Sequence, residues 1–442
     1  MKTLLKVLLA MLLVLLVALL TILANATVEL TQGGVYNKVY LPIGVGEIKW
    51  NAAGSVQASE PALTGLQGPV IVKNASALQL TAWCQNARIT QTLQHDADSA
   101  QVDCQGRQYR YQLATSSVTV NAEIEAPAAV AVISDLEGNI AFFEQWARSS
   151  GVTDANGDWQ FSNGQLIVLG DAVDRGRQVY ALMWRLYQLA QQAQQQGGQL
   201  LLIHGNHEQY VMRGLVDRVE TEHYWAIEQL MPYEKSFAAD TVLGGWLRQQ
   251  PIIARMGNYL FTHGGVSPQV LASGLTVAQL NQRYHATLQQ TNDQVSEADY
   301  ALFYGSNGLS QYRALLSAND DGVSGGDWPE AHLQQILAHF NVKALVIGHT
   351  PVAKPAALYD GRLVAVEAEQ TSSALIIRDD EAEFTDVGMV KTRFTEQQPQ
   401  YRSFRLLSAA DWRALTANKQ HLIDLNQAKR FFNREKANSG AG

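Results

Sequence analysis

The feature that most constrains the fold of this chain is a short apolar run that ends on Asp, Asn or His beside glycine, a pattern that occurs five times. The runs and their exits are 128–134 before Asp135-Leu136-Glu137-Gly138, 165–170 before Asp171-Ala172-Val173-Asp174-Arg175-Gly176, 199–204 before Gly205-Asn206-His207-Glu208, 258–262 before His263-Gly264-Gly265, and 343–347 before Gly348-His349-Thr350-Pro351. A single exit is typical of an ordinary polar turn. Five exits that all carry metal-binding residue types indicate one shared site, because ligands bind at the carboxyl ends of strands in open α/β sheets.

The spacing of the apolar runs predicts a mostly parallel α/β core. Two further runs, 363–367 and 374–378, follow the five, and helical patterns such as Ile140–Ser149 and Gln178–Gln195 lie between them. Alternation of strand and helix is typical of such cores. The segment 209–257 interrupts this order and is rich in Tyr, Trp and Met, so we expect it to form a cap or helical flank.

The ligand types at the exits indicate a transition-metal site. Carboxylates, an amide oxygen and imidazoles together suit Mn, Fe or Zn more than calcium. Two metal ions about 3.5–4 Å apart and bridged by one carboxylate form the usual clamp for attack of water on phosphorus. The exits therefore predict hydrolysis of a phosphate ester.

Residues 1–26 have the layout of a secretory signal peptide. Lys2 and Lys6 precede an almost unbroken apolar run from Val7 to Leu23, and Ala24-Asn25-Ala26 fits a small-x-small cleavage site. The run also reaches the lower length limit of a membrane span, so a retained N-terminal anchor is the alternative. Both alternatives predict that the remaining chain is exported to the periplasm or another extracytoplasmic compartment.

Residues 27–126 are predicted to form a small β-rich domain. Polar and apolar residues alternate in 78–83, 87–92, 109–113 and 117–124, as they do in half-buried strands. Cys84 and Cys104 are the two cysteines of the chain and lie in this region. An exported chain can keep a disulfide between them, and two buried free thiols are the alternative.

The order of the motifs resembles that of the calcineurin-like metallophosphoesterases, whose signature runs D-x-H, G-D-x-x-D, G-N-H-[DE], H and G-H-x. GDxxDRG at 170–176, GNHE at 205–208 and HGGxSP at 263–268 are similar to the phosphoprotein phosphatase branch, and within it to the bacterial Shewanella-like phosphatases. The resemblance covers about residues 128–392. It implies a β-sandwich core flanked by helices, here preceded by the small N-terminal β-domain.

The resemblance also implies a dinuclear metal site. We expect two divalent ions, with Mn²⁺ favoured and Fe, Zn or Mg as alternatives. The implied ligands are Asp135 and Glu137 for the first ion, Asn206, His263 and His349 for the second, and Asp171 as the bridge.

Glu137 departs from this family pattern, which has histidine at that position. Three carboxylates at the first ion make it a weaker Lewis acid and favour harder, oxygen-preferring ions. We therefore expect Mn²⁺ or Mg²⁺ to be preferred over Zn²⁺. A degenerate first site in a weak or inactive enzyme is the alternative.

Further roles follow from the resemblance for four residues near the metals. His207 would be the general acid that protonates the leaving oxygen, and Asp174 would orient it. Arg175 would bind phosphate oxygens through its fork of donors. Arg313 is the candidate for a second phosphate arginine, with a surface arginine as the alternative.

Three neighbouring residues have other expected roles. His204 is expected to pack in the core, Glu208 to anchor its loop, and His223 in the insertion could line a substrate pocket.

The predicted function is hydrolysis of phosphomonoesters by a metal-bound hydroxide, with phosphoproteins as the substrate class that the resemblance implies. The alternatives are a nucleotide or diadenosine-polyphosphate hydrolase of the same superfamily, and a binding module that keeps the fold. The net charge of −8, without a basic block beyond the N-terminus, argues against nucleic-acid binding. The expected organisation is a leader at 1–26, the β-rich domain at 27–126, the metallophosphoesterase domain at 127–392 and a helical extension at 393–442.

Overall fold

The computed structural model describes residues 2–30, 36–43, 47–53, 65–85, 87–113, 120–216, 218–317, 328–368, 373–388 and 427–435. Most of the predicted C-terminal extension at 393–442 lies outside these residues, and so does much of the predicted strand at 117–124.

Two sheets form the centre of the structure between residues 123 and 386. The first sheet contains β10 (Val130–Ile133), β11 (Gln165–Val168), β12 (Gln199–Leu202), β18 (Ser373–Arg378) and β19 (Glu381–Asp386), in the order β12-β11-β10-β18-β19. The second contains β9 (Glu123–Ile124), β13 (Ile253–Met256), β14 (Tyr259–Thr262), β15 (Ala344–Ile347), β16 (Ala356–Leu358) and β17 (Leu363–Ala365), in the order β16-β17-β15-β14-β13-β9.

The alternation of side chains along each strand explains how the two sheets pack. Val130 and Val132 of β10 lie in an apolar layer with Phe261 and Val346 of the second sheet. The intervening residues of β10 point to the other face and contact helices. Because both faces are covered, the strands read as continuous apolar runs. The predicted β-sandwich flanked by helices is therefore confirmed.

Helices cover the outer faces of the two sheets. Those that follow strands of the first sheet are α2 (Ile140–Ser149), α3 (Val179–Gln195) and α4 (Asn206–Met212). The insertion contributes α5 (Thr221–Glu228), a 3-10 turn (Tyr233–Lys235) and α6 (Val242–Leu247). The outer face of the second sheet packs with α7 (Pro268–Ala272), α8 (Val277–Thr287), α9 (Glu297–Phe303), α10 (Ala314–Ser317) and α11 (Trp328–Phe340).

All seven predicted strands of the core are present, with ends within about two residues of those expected. The sheets are more mixed than predicted, because β18, β19, β13 and β16 pair antiparallel to their neighbours. Arg255 interrupts the apolar pattern of β13, and β19 is a charged edge strand whose polar side chains carry little periodic signal.

The N-terminal region forms three small sheets. One contains β1 (Thr27–Leu30), β2 (Tyr36–Pro42) and β3 (Glu47–Ala53). Another contains β4 (Leu66–Lys73), β5 (Ala77–Cys84) and β6 (Ala87–Gln94), and the last contains β7 (Ser99–Cys104) and β8 (Arg107–Gln112).

The strands β4–β8 share one hydrophobic core with α2, α3 and the insertion. Trp184 of α3 donates its indole N–H to the carbonyl of Pro69 at 2.9 Å. Trp83 packs edge-on against Trp225 of α5, with ring centroids 5.6 Å apart. This part of the N-terminal region is thus packed directly on the helices that flank the first sheet.

Cys84 and Cys104 form a disulfide that joins the ends of β5 and β7, with Cα atoms 5.8 Å apart. Removing it as Cys84→Ala/Cys104→Ala is expected to lower the free energy of unfolding by about 3 kcal/mol, because the unfolded chain regains the entropy of a short closed loop. Chemical denaturation of the oxidised chain and the variant measures the difference. Reductant should lower the denaturation midpoint of the parent chain only. Equal denaturation midpoints for the oxidised parent and the variant would contradict the expectation.

The N-terminal helix α1 (Lys2–Ala24) is apolar along its length and its side chains are exposed. The stretch Thr3–Ala24 is long and apolar enough to cross a membrane. It is consistent with both alternatives from the sequence, a signal peptide or an anchor.

Candidate active site

The five strand exits meet at one edge of the sandwich. His207 at the start of α4 donates its backbone N–H to Asp171 Oδ1 after β11, at 3.0 Å. The backbone N–H of His349 after β15 donates to Asp135 Oδ2 after β10, at 3.1 Å. Both sheets therefore deliver side chains to a single buried site, as the pattern of exits predicts.

The backbone at this site is held in a conformation that side chains usually avoid. Six site residues have positive φ, namely Asp135 (50°), Glu137 (48°), Asp171 (52°), Asp174 (67°), Arg175 (54°) and His349 (61°). Residues of this kind cost on the order of 1–3 kcal/mol each and persist only where surrounding structure enforces them. Hydrogen bonds between the loops do so here, from Glu137 N to the Asp171 carbonyl at 2.8 Å and from Gly138 N to the Ala172 carbonyl at 2.9 Å.

Gly170 allows two strand exits to approach each other. Its φ is +76°, and a Cβ at this position would lie 2.5 Å from the backbone nitrogen of Gly205 and 2.7 Å from His263 Nδ1. Any side chain at Gly170 would push His263 and the GNHE loop apart, so the glycine is needed for the close approach.

Asp171, His263 and His349 form a triangle that can hold a metal ion. Their ligand atoms lie within 4.8 Å of one another, and all three residues are buried. His263 Nδ1 donates to the Leu169 carbonyl at 2.5 Å, so Nε2 is the ring nitrogen that faces the other two residues, 3.3 Å from Asp171 Oδ2 and 3.1 Å from His349 Nδ1. Among the described residues, Asn206 Oδ1 and His349 Nε2 are buried without a hydrogen-bond partner. These donor atoms fit a divalent cation of the kind predicted.

The electrostatics of the triangle also favour a cation. Burial raises the pKa of Asp171, but the charges of His263 and His207 outweigh burial and hold the pKa well below its usual range. Burial, followed by the charge of His263, lowers the pKa of His349 to about 2. Asp171 is thus ionised and His349 neutral, as metal ligands must be. Burial lowers the pKa of His263, but the charges of Asp171 and Asp135 outweigh burial and raise it to about 9, so this imidazole would release a proton on binding a metal ion.

Asp135 and Glu137, predicted for the first metal ion, have different surroundings. The hydroxyl of Ser134 lies within hydrogen-bonding distance of Asp135 Oδ2 and, at 3.0 Å, of the Leu169 carbonyl, and its single hydrogen can be donated to either acceptor. Asp135 Oδ2 also accepts the backbone N–H of His349, so the carboxylate lies beside that residue. The carboxylate of Glu137 pairs with Arg175 instead of the triangle. Whether Glu137 binds metal remains a prediction.

His207 and Asp174 form a buried pair next to the triangle. His207 Nδ1 and Asp174 Oδ2 are 2.8 Å apart, and His207 Nε2 lies 3.8 Å from Asp171 Oδ2. Burial lowers the pKa of His207, but the charges of Asp171 and Asp174 outweigh it and raise the pKa above its usual value. Asp174 thus holds the imidazole of His207 at Nδ1, with Nε2 on the side of Asp171.

Two arginines border the same site. Arg313 donates to the His349 carbonyl at 2.8 Å and lies 3.4 Å from His349 Nδ1. Arg175 is 38% exposed while its partner Glu137 is buried, so part of its guanidinium faces solvent. Burial lowers the pKa of Arg313, and the charge of Arg175 acts in the same direction. Two guanidinium groups beside a metal site suit an anionic ligand such as phosphate.

Glu208 and His204 occupy supporting positions, in agreement with their expected roles. Glu208 accepts backbone N–H groups from Asp171, Ala172 and Gly205 at 2.8–2.9 Å, which ties two strand exits together. Burial and then the charge of Asp171 raise its pKa to about 7. His204 Nδ1 is 2.8 Å from the Tyr284 hydroxyl, and burial lowers its pKa to about 3.

Two residues at the site carry no sequence motif of their own. Ser134 precedes Asp135 and lies within hydrogen-bonding distance of its carboxylate, as described above. Tyr210 lies three residues after His207 in α4, packs against its ring at 5.1 Å and accepts a hydrogen bond from Gln311. The i, i+3 spacing on a helix is the signal that could have found Tyr210. His223, by contrast, is 1% exposed and does not line an open pocket.

Comparison with known proteins agrees with this geometry. A family model described as calcineurin-like phosphoesterase matches residues 128–353. Shewanella-like protein phosphatase 1 of Plasmodium berghei is 25% identical over 227 residues, which are 50% of this chain and 60% of that relative. Shewanella-like protein phosphatase 2 of Arabidopsis thaliana is 27% identical over 89 residues, 20% of this chain and 23% of that relative. The chain therefore spans less than two thirds of either relative.

Solved structures show the same fold over more of the chain. A cold-active protein-tyrosine phosphatase of a psychrophilic Shewanella species is 27% identical with a TM-score of 0.65, covering 73% of this chain and 98% of that one. Another structure of a cold-active protein tyrosine phosphatase has a TM-score of 0.66 at 27% identity, covering 74% of this chain and 96% of that one. The expected likeness to Shewanella-like phosphatases is confirmed. Since the family model covers about half of the chain, including all five strand exits, this protein belongs to the calcineurin-like phosphoesterase family.

Proposed function

We propose that this protein is an exported, metal-dependent phosphatase that hydrolyses phosphomonoesters. The observation that carries the proposal is the Asp171–His263–His349 triangle with the His207–Asp174 pair beside it. The triangle supplies metal ligands, and the pair supplies a proton within reach of the same position. Both are what hydrolysis of a phosphate ester requires.

The metal ions would be held by the residues predicted from the sequence. Asp171 would be the bridge, with the remaining ligands contributed by Asp135, Glu137, Asn206, His263 and His349. Bound divalent ions in such a site activate water and neutralise phosphate charge. For the reasons given for Glu137, we propose Mn²⁺ as the preferred ion.

Side chains of the protein would bind the phosphate and donate the proton. Arg175 and Arg313 would bind the phosphate oxygens and orient the phosphorus, with Arg175 released from Glu137. His207 would donate its Nε2 proton to the leaving oxygen, while Asp174 keeps the Nδ1 proton in place.

We propose phosphorylated protein side chains as the substrate class. Two similar solved structures are described as protein tyrosine phosphatases, which favours phosphotyrosine. The half-exposed Arg175 is consistent with a site open to a side chain on a larger substrate.

The test is hydrolysis of p-nitrophenyl phosphate by the chain lacking residues 1–26, with Mn²⁺, Mg²⁺ or Zn²⁺ and with chelator. Turnover that chelator abolishes and Mn²⁺ restores is expected, and its absence would refute phosphatase function. Activity with Zn²⁺ alone would overturn the metal preference. Phosphotyrosine and phosphoserine peptides, nucleotides and bis-p-nitrophenyl phosphate, tested side by side, separate the substrate classes.

A further inference from the structure

Tyr210 of α4 lies beside the proposed general acid, where distant parts of the chain meet. Its ring packs against the imidazole of His207, with centroids 5.1 Å apart and an angle of 62° between the planes. Its hydroxyl accepts a hydrogen bond from Gln311 Nε2 at 3.0 Å. The ring of Phe432 packs edge-on against it, with centroids 4.7 Å apart and an angle of 85°. Tyr210 thus connects His207 to the segment before Arg313 and to the C-terminal part of the chain.

The hydrogen bond to Asp174 fixes one atom of the His207 ring and leaves the tilt of the ring to packing. Asp174 Oδ2 holds Nδ1 at 2.8 Å, while Nε2 is the atom that would carry the proton to the leaving oxygen. A hydrogen bond at Nδ1 restrains that atom but allows the ring to pivot about it. A second ring packed on the imidazole restricts this pivot, because aromatic pairs favour edge-to-face or offset arrangements. The ring of Tyr210 is therefore placed to set the direction of Nε2.

Helix α4 holds the backbone of Tyr210 in place. His207 and Tyr210 are three residues apart on this helix, a spacing that brings two side chains together. Gln209 lies between them in the sequence and is fully buried, and its Nε2 donates to the carbonyl of Phe303 at 2.9 Å. The backbone is thus fixed on one side by a buried contact. The orientation of the Tyr210 ring itself depends on the side chains that pack against it, and Phe432 is one of them.

The helical segment 427–435 is anchored next to the end of α4. Phe431 is 3% exposed, and its ring contacts the guanidinium groups of Arg213 and Arg434, whose central carbons lie 4.7 and 5.1 Å from the ring centroid. Such cation–π contacts are attractive. Because Arg213 directly follows α4, these contacts tie the segment to that helix. They also fix the position of the neighbouring Phe432.

We propose that Tyr210 is a positioning residue for His207, and that Phe432 holds the Tyr210 ring in place. The contacts run from Phe432 through Tyr210 to the imidazole. Loss of either ring would therefore let Nε2 point away from the leaving oxygen in part of the molecules. The C-terminal segment then contributes to proton delivery as well as covering apolar surface. This inference rests on the proposed function only where it concerns the rate of the reaction.

The first test compares kcat for two aryl phosphates between the parent chain and Tyr210→Leu, which removes the ring. Phenyl phosphate needs a proton on its leaving oxygen, so its kcat should fall about tenfold, a part of the roughly 10²- to 10⁴-fold that a general acid contributes. For 2,4-dinitrophenyl phosphate, which departs without a proton, kcat should change little. KM should be unaffected for both. Loss of the same factor with both substrates would indicate a merely structural role and would overturn the proposal.

Tyr210→Phe separates the ring from the hydroxyl. It keeps the ring and loses the bond from Gln311, so its rate with phenyl phosphate should lie within about twofold of the parent, because ring packing carries the contact with His207. If Tyr210→Phe lost as much as Tyr210→Leu, the hydroxyl would be responsible, and the proposal would be overturned.

Phe432→Ala tests the support of the Tyr210 ring. It leaves Tyr210 intact and should lower kcat for phenyl phosphate about threefold, as expected for the loss of one aromatic pair, without changing the rate for 2,4-dinitrophenyl phosphate. An unchanged ratio of the two rates would overturn the role of Phe432. This variant also carries the test if Tyr210→Leu does not fold.

Phe384→Ala is the matched control for Phe432→Ala. Phe384 is also partly buried, but it lies on the edge strand β19 and pairs with Leu375 of β18. The variant removes a ring of the same size, so it measures the effect of a general loss of packing. The ratio of the two rates should equal that of the parent.

A second measurement does not depend on activity. The ring protons of His207 can be observed by NMR in chains labelled at histidine and loaded with Mg²⁺, and identified by their absence from His207→Asn. In Phe432→Ala these resonances should shift and broaden, because the Tyr210 ring next to them is no longer held in one orientation. Phe384→Ala should leave them unchanged.

The two measurements separate failure of this inference from failure of the proposed function. Unchanged His207 resonances in Phe432→Ala would overturn the inference even if the parent hydrolyses phosphate esters. Absence of hydrolysis by the parent would refute the proposed function, while shifted resonances would still support the role of Tyr210 and Phe432.

Discussion

Asp171→Asn is expected to lower kcat/KM for p-nitrophenyl phosphate on the order of 10³-fold or more. Asp171 Oδ2 faces His263 Nε2 at 3.3 Å, and Oδ1 accepts the backbone N–H of His207, so this corner of the metal triangle also contacts the proposed general acid. Asparagine preserves size and backbone preference but removes the negative charge that would bind the cations. Metal content by mass spectrometry should therefore fall together with activity.

Asp360→Asn is the matched control for Asp171. Asp360 also has a positive φ, 55°, but its side chain is 99% exposed and lies outside the site. Metal content and rate should be unchanged in this variant. If Asp171→Asn kept full metal content and activity, the assignment of the bridging carboxylate would be wrong.

His207→Asn is expected to lower kcat about 10²- to 10⁴-fold for phenyl phosphate, the range associated with loss of a general acid. The effect should shrink as the leaving group improves, because 2,4-dinitrophenolate departs without a proton. Metal content should remain, since His207 Nε2 points at the triangle but lies 3.8 Å from Asp171 Oδ2. Steady-state kinetics over a series of aryl phosphates gives the slope of log kcat against the pKa of the leaving group.

His339→Asn serves as the comparison for His207. His339 is exposed. Its Nε2 lies 3.1 Å from the carbonyl of Leu275, and its ring packs against Phe340. Its replacement should leave the slope unchanged. A His207 variant that loses the same factor with every leaving group would assign His207 to binding or folding instead of proton transfer.

Much of the core could be read from the sequence because its strands are buried on both faces. Within the run 165–170, every position from Leu166 to Leu169 is apolar before Gly170, and the structure contains β11 there. Strands with one exposed face gave a weaker signal, as β19 illustrates with its alternating Glu, Phe and Asp side chains. Which strands pair antiparallel is set by contacts between distant segments, and apolar runs do not encode it.

The site was predictable in its residue types but not in its pairings. The exits placed Asp171, His263 and His349 together because the carboxyl ends of the strands meet at one edge. The pairing of Glu137 with Arg175 depends on the left-handed turns at both residues, and a local motif does not specify how two turns face each other.

The shared core of β4–β8 and α3 has a consequence for how the chain acquires its structure. The partners Pro69 and Trp184 are 115 residues apart, so strands that are synthesised early meet their helix only after much more of the chain has followed. Contacts of such large sequence separation form slowly. During that interval the apolar faces of β4 and β5 are open to other chains, which makes the early-emerging segment, remote from the catalytic residues, the part most in need of chaperone protection.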